Sequence, residues 1–175
     1  SLWSAIGLSI AISVGFDRFR QLLDGARAMD RHFVTAPAAE NMPLLLALIR
    51  IWERNFNHSA SYAVIPYCER LALLPAYLPH LDMESHGKSC QISGEPVDYR
   101  TGPILWGQTG TNGQHAFFQL LHQGTQAVPI DFIAAINDNL SNPEHHTVLL
   151  GNMLAQSSAL MSGQPAPAGQ PHRYY

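Results

Sequence analysis

Two short stretches of the chain gather residue types that chemistry needs. The first is Gly107-Gln108-Thr109-Gly110-Thr111-Asn112-Gly113-Gln114-His115. Its glycines let a backbone turn sharply and approach a ligand closely. Thr111 or Asn112 can cap a helix that starts there, and free N–H groups at a helix start suit an anion or a polar sugar. His115 then falls in the first helical turn. The spacing is not GxGxxG, so a dinucleotide site has little support. The second stretch is Asp82-Met83-Glu84-Ser85-His86-Gly87-Lys88, with carboxylates, a histidine and a lysine at the end of an apolar segment. A carboxylate at such a junction can serve as a general base. On pattern alone, the better reading of the first stretch is an ordinary capped strand-to-helix turn, and of the second a solvated helix end. The other histidines do not form a metal set. His115 and His122 are two helical turns apart, His145 and His146 are adjacent and face different sides, and no HExxH spacing occurs.

The elements that must position these residues alternate in period. Residues 2–14 read as a helix buried on most sides. Phe16, Phe19, Leu22, Leu23, Ala26, Met29 and Phe33 follow the i, i+3, i+4, i+7 rule of an amphipathic helix. Asn41 is a candidate cap, with Pro43 in the first turn, for a third helix running to about Asn55. Residues 61–66 read as a buried strand. A helix over 71–81 is bent or interrupted by Pro75 and Pro79. Residues 89–102 form a loop, with a short extended piece at Pro96–Asp98. A second strand covers 103–106, a helix 112–122, and a third strand lies within 127–136. A long helix covers 143–161, with Asn142 as its cap. The order is helices, then β-α-β-α-β-α, which predicts a parallel sheet with helices on both faces. Ligands in such sheets bind where strand carboxyl ends meet helix starts, and Trp106 to His115 is such a place. Residues 162–175, rich in Gly, Pro, Gln and Ala, read as a loop or tail.

Composition narrows the function classes. The 175 residues fit one domain of ordinary size. Charged residues make up 13%, against about 25% in an average protein. With 46% hydrophobic residues, that suits a chain packed against more protein. The net charge is −3 and no Lys/Arg run exists, which argues against nucleic-acid binding. The two cysteines, Cys68 and Cys90, match no zinc spacing and are too few for a disulfide scaffold; they read as free thiols in a reducing cytoplasm. The apolar stretches near the N-terminus and at Leu44–Trp52 fall short of the ~18–20 residues of a membrane span. The N-terminus lacks the basic region of a signal peptide, and a start at Ser1 within an apolar helix reads as a piece of something larger.

The chain resembles the glucose-6-phosphate isomerase family over essentially all its length. Ser1-Leu2-Trp3-Ser4-Ala5-Ile6-Gly7-Leu8-Ser9 is similar to the stretch that follows that family's glycine-glycine-arginine-tyrosine signature. Asp82-Met83-Glu84-Ser85 with Gly87-Lys88 resembles its catalytic-base segment. Thr101-Gly102-Pro103, Trp106-Gly107, Gly110 to His115, Gln119 and His122-Gln123-Gly124-Thr125 resemble its second active-site segment. Leu154-Ala155-Gln156, Ala159-Leu160-Met161 and Pro171-His172-Arg173 continue the likeness. The family interconverts glucose 6-phosphate and fructose 6-phosphate without a cofactor, through a cis-enediol.

The resemblance therefore implies an α/β, parallel-sheet, three-layer sandwich of the sugar-isomerase (SIS) type. Residues 1–161 would be part of one such domain, with 1–57 a helical lead-in and 58–161 the β-α-β core. It implies Glu84 as the base and His115 as the ring-opening group, delivered from the neighbouring subunit of a homodimer. Gly113 and Gln114 would bind substrate. Pro79-His80 stands where the family usually has two glutamines, the second touching the sugar, so the resemblance places His80 at that contact. His86 stands where asparagine is usual, and Gln108-Thr109 where glutamate-proline is common. The family's signature arginine, its Ser/Thr-rich phosphate loop and its C-terminal lysine lie outside this stretch. The implied partners are a sugar phosphate and a second copy of the chain; neither a metal, a nucleic acid nor a membrane is implied, and the location is cytoplasmic. The alternative is a non-catalytic sugar-phosphate-binding module of the same fold.

Overall fold

The computed structural model describes residues 2–137, 142–163 and 168. It forms two compact units, Ser1–Ile51 and Trp52–Tyr175.

The first unit holds helices α1 (Gly7–Val14), α2 (Phe16–Thr35) and α3 (Met42–Ile51). Gly15, at φ 84°, separates α1 from α2 in a conformation that L side chains avoid. The helix expected over residues 2–14 is shorter and far less buried than its sequence implies. Residues 2–6 form turns, Gly7 N–H closes on Ser4 O at 3.0 Å, and the Leu2 carbonyl lies against Gly7. Of α1 only Gly7 is buried; Leu8, Ile12 and Val14 are exposed. The stripe of α2 is present, but it is split. Phe19, Leu23 and Ala26 are half-buried, whereas Phe16, Leu22, Met29 and Phe33 are exposed. Asn41 caps α3 as expected: Oδ1 accepts from Leu44 N–H at 3.2 Å and Nδ2 donates to Phe33 O at 2.8 Å.

The second unit is built on β1 (Ser61–Pro66), flanked by β2 (Ile104–Trp106) and β3 (Ile130–Ile133). The order is β2-β1-β3 and both pairings are parallel. Ser61 to Ala63 pair with Ile104 to Trp106, and Ala63 to Pro66 with Ile130 to Ile133. The central strand is covered on both faces, which is why it reads as an unbroken apolar run. Ala63, Ile65 and Tyr67 pack with Phe118, Leu121 and Met153 on one side. Tyr62 and Val64 pack with Leu105, Leu78 and Ile133 on the other. Those packing partners come from α7 (Phe118–Gln123) and α8 (Pro143–Ser162) on the first face and from α4 (Leu74–Leu81) on the second. The result is the expected three-layer α/β arrangement.

Four local readings change. The helix expected from residue 71 starts at Leu74, after a 3₁₀ turn at Glu69–Leu71. The third helix, expected to run to Asn55, ends at Ile51, and Trp52–Phe56 is a π-turn in which Trp52 stacks on Phe56 at 4.9 Å. The extended piece near residue 96 is a single bridge between Cys90 and Pro96. The helix expected over 112–122 is two helices, α6 (Gly110–Ala116) and α7, broken at Phe117 with φ −141° and ψ −1°. The break lets the Phe117 ring meet Trp106 edge-on at 4.8 Å and stack on Phe118 at 5.7 Å. Asn142 caps α8 through its Oδ1, which accepts from Glu144 N–H at 2.9 Å. Most of residues 162–175 lie outside the described residues. Among the described residues no helix is long and apolar enough to cross a membrane.

Candidate active site

The glycine-rich stretch leaves the carboxyl end of β2 under tight steric control. A Cβ on Gly107 would fall 2.8 Å from the Val64 carbonyl carbon, with the carbonyl oxygen nearer still. A Cβ on Gly110 would enter the Tyr67 ring, and one on Gly113 would lie 2.7 Å from the Phe117 ring. These glycines are therefore places where backbone presses on backbone or on an aromatic face. The helix starts earlier than expected, at Gly110, so the capping expected of Thr111 or Asn112 is not made. Thr109 occupies the cap position, and its Oγ1 accepts from Asn112 Nδ2 at 3.3 Å. The same shift moves His115 from the first turn to the last turn of α6, where it is exposed. Gln114 is half-buried, and its Nε2 donates to the Tyr67 hydroxyl at 2.7 Å. Burial pushes the Tyr67 phenol above its ordinary value, with the Gln114 hydrogen bond acting the other way.

The acidic stretch closes α4 and forms the one-turn α5 (Met83–His86). Asp82 is buried although it is a carboxylate, and its Oδ1 meets His86 Nδ1 at 3.0 Å. Met83 Sδ accepts the Leu105 N–H at 3.4 Å, which ties α5 to β2. The Lys88 ammonium closes the far side by donating to the carbonyls of Glu84 and Ser85. Glu84 sits in the middle of this braced turn with an exposed side chain, and His80 is exposed in the last turn of α4.

A further brace holds the loop beneath it. Arg54 Nε donates to Thr101 O at 2.8 Å and Nη1 to Ser59 O at 3.2 Å. Asn55 Oδ1 accepts from Arg100 N–H at 2.9 Å while Nδ2 donates to Arg100 O at 3.1 Å. Gly102 is thereby set beside Asp82 and His86, with room for little else: a Cβ there would lie 3.1 Å from His86 Cβ.

The acidic stretch packs on β2, and the glycine-rich stretch leaves the carboxyl end of that strand. Asp82 and His86 lie over Gly102, just before β2, and Met83 meets Leu105 in its middle; Gly113, Gln114 and His115 follow its end. Sequence reasoning missed Tyr67, the Asp82–His86 pair and the Arg54–Asn55 brace. The Asp82–His86 pair has a visible signal in its i, i+4 spacing. The other two depend on contacts across 47 and 45 to 47 residues and leave no local mark. Among the described residues no group of three or more His, Cys, Asp and Glu could hold a metal ion.

The phosphoglucose isomerase family model matches residues 1–170. The chain belongs to the phosphoglucose isomerase family. It is 60% identical over 163 residues to glucose-6-phosphate isomerase 1 of Chromohalobacter salexigens, covering 93% of this chain and 30% of that protein. It is 57% identical over 166 residues to glucose-6-phosphate isomerase 2 of Cupriavidus pinatubonensis, covering 95% and 31%. A crystal structure of a glucose-6-phosphate isomerase from Chlamydia trachomatis is similar in fold, with a TM-score of 0.83 and 41% identity; the match covers 91% of this chain and 32% of that one. The three-layer unit is thus the α/β fold of the phosphoglucose isomerase family. The chain spans about 30% of the length of the curated relatives it matches.

Proposed function

We propose that this chain is a segment of an enzyme that interconverts glucose 6-phosphate and fructose 6-phosphate by ring opening and proton transfer through a cis-enediol. Glu84 is the base that carries the proton between C1 and C2. His115 assists ring opening, and His80, Gly113 and Gln114 contact the sugar phosphate. The observation that carries this reading is the braced Asp82–Lys88 turn, which presents an exposed Glu84 carboxylate in a chain 60% identical to a glucose-6-phosphate isomerase. A base held on a rigid turn needs little reorganisation to meet a C–H bond, and a positioned base contributes ~10² to 10⁴ in rate.

The dimeric part of the reading rests on the family resemblance. The working unit is a homodimer whose sites each combine Glu84 of one protomer with His115 of its partner. Residues 1–161 belong to one partial sugar-isomerase domain, and the enzyme works in the cytoplasm. With about 30% of its relatives' length, the chain lacks groups that would grip the phosphate and stabilise the enediolate, so it is nearly inactive alone.

The test is fructose 6-phosphate to glucose 6-phosphate conversion by the 175-residue chain and by a chimera in which it replaces the matching segment of the Chromohalobacter enzyme. The chain alone should show little turnover, and the chimera should be active. Efficient turnover by the chain alone would contradict the account of its missing groups. A chimera whose rate tolerates Glu84→Gln would favour the non-catalytic sugar-phosphate-binding alternative.

A further inference from the structure

We propose that Tyr67 is a positioning residue of the isomerase site: its hydroxyl holds the Gln114 side chain and its ring seats the start of α6, so that Gln114 and His115 are presented in one orientation. The inference rests on the isomerase reading above.

Tyr67 directly follows β1, the central strand, whose neighbours β2 and β3 lie on either side. The chain order reverses there, and in parallel sheets that crevice at the carboxyl ends is where ligands bind. Three independent contacts immobilise the residue. Its N–H donates to Ile133 O at 2.7 Å, fixing the backbone to the end of β3. Its ring packs against Phe132 at 6.1 Å and covers Gly110 so closely that no Cβ fits between them. Its hydroxyl accepts from Gln114 Nε2 at 2.7 Å. The residue is only 2% exposed, so the ring has no freedom to wander.

Packing alone does not explain a tyrosine here. A phenylalanine would fill the same volume beside Phe118 and Leu121, and a buried hydroxyl is unfavourable unless bonded. The bond it makes is to the residue next to His115. A free glutamine samples many rotamers, and an unanchored amide cannot present one face to a ligand. Committing Nε2 to Tyr67 leaves Oε1 as the amide atom for a second partner. A phenol is protonated through the neutral pH range at its ordinary value, and burial raises that value further, so the anchor is constant there. A small displacement of a site group can lower a rate by ~10²-fold, so a loosened Gln114 should register in catalysis.

The experiment uses the chimera with Tyr67→Phe, Gln114→Leu and both together, beside Glu84→Gln. Tyr67→Phe should lower kcat/KM about tenfold to a hundredfold, while the thermal midpoint shifts little. In the Gln114→Leu background, Tyr67→Phe should add nothing, because the bond it removes is already absent. A Tyr67→Phe chimera within twofold of the parent, or one with the same loss in both backgrounds, would overturn the inference and leave the isomerase reading intact. An inactive parent, or one indifferent to Glu84→Gln, would overturn that reading and the inference with it. One measurement needs no variant. In the 175-residue chain, the Gln114 side-chain amide protons should exchange with solvent far more slowly than those of exposed Gln108; equal rates would overturn the anchor.

Discussion

Replacing Gly107 with alanine should separate β1 from β2. The added Cβ would lie 2.8 Å from the Val64 carbonyl carbon and 3.1 Å from its nitrogen, with the carbonyl oxygen closer than either. Flexible side chains can swing away from such a clash, but these atoms belong to the backbone of the central strand. Val64 is itself buried and paired with Asp131 in β3, so it cannot retreat without disturbing the second ladder. Overpacking of a tight interior typically costs ~1–3 kcal/mol. With backbone on both sides, the upper end applies, about 3 kcal/mol, which is a large share of the ~5–15 kcal/mol that holds a domain folded. For a urea slope of about 2 kcal/mol/M, the midpoint should fall by roughly 1.5 M. Gly151→Ala provides the contrast in the same unit. Gly151 lies within α8 with nothing near its Cβ position, so alanine there should stabilise by about 0.8–1 kcal/mol. Urea unfolding of the chain and both variants, followed by circular dichroism, decides the matter. A Gly107→Ala loss below about 0.5 kcal/mol would refute the reasoning, because a backbone clash cannot be that cheap.

The Tyr67 phenol is held above its ordinary value of 10.0 by burial, and the unfolded chain restores it to about 10. Its contribution to stability is therefore fully present below pH 10 and is lost as pH rises through the higher folded value, so Tyr67→Phe should flatten the alkaline limb of a stability–pH curve measured from pH 8 to 11. Asn142→Ala removes the side-chain acceptor of the Glu144 N–H and should cost about 1 kcal/mol in urea unfolding, whereas Asn142→Asp should keep most of the cap.

What could be read from the sequence divides along the line between local pattern and remote contact. β1 was legible because Tyr62 to Pro66 are apolar without alternation, which a strand buried on two faces requires. The caps at Asn41 and Asn142 were legible because an N-cap bond spans two or three residues. The break at Phe117 was not. No proline between Asn112 and His122 marks a stop, and the edge-on contact of Phe117 with Trp106 that accompanies the break joins residues of two different elements. The apolar stripe of α2 was visible, but a stripe tells only which face is apolar, and Phe16 and Phe33 remain exposed. The same boundary runs through the site. Glu84 and His115 were singled out because the residues around them resemble the family's active-site segments. Tyr67, which grips the neighbour of His115 from 47 residues away, carried no such signal.

The most direct test of the account follows the proton that Glu84 is said to move. Glucose 6-phosphate is incubated in deuterium oxide with the chimera, and deuterium entering C2 is read by proton NMR while fructose 6-phosphate forms. The account predicts that the parent chimera isomerises and exchanges at C2, and that Glu84→Gln lowers both rates by at least ~10²-fold while the protein stays folded. Exchange and isomerisation that persist at the parental rate in Glu84→Gln would contradict the assignment of Glu84 as the base.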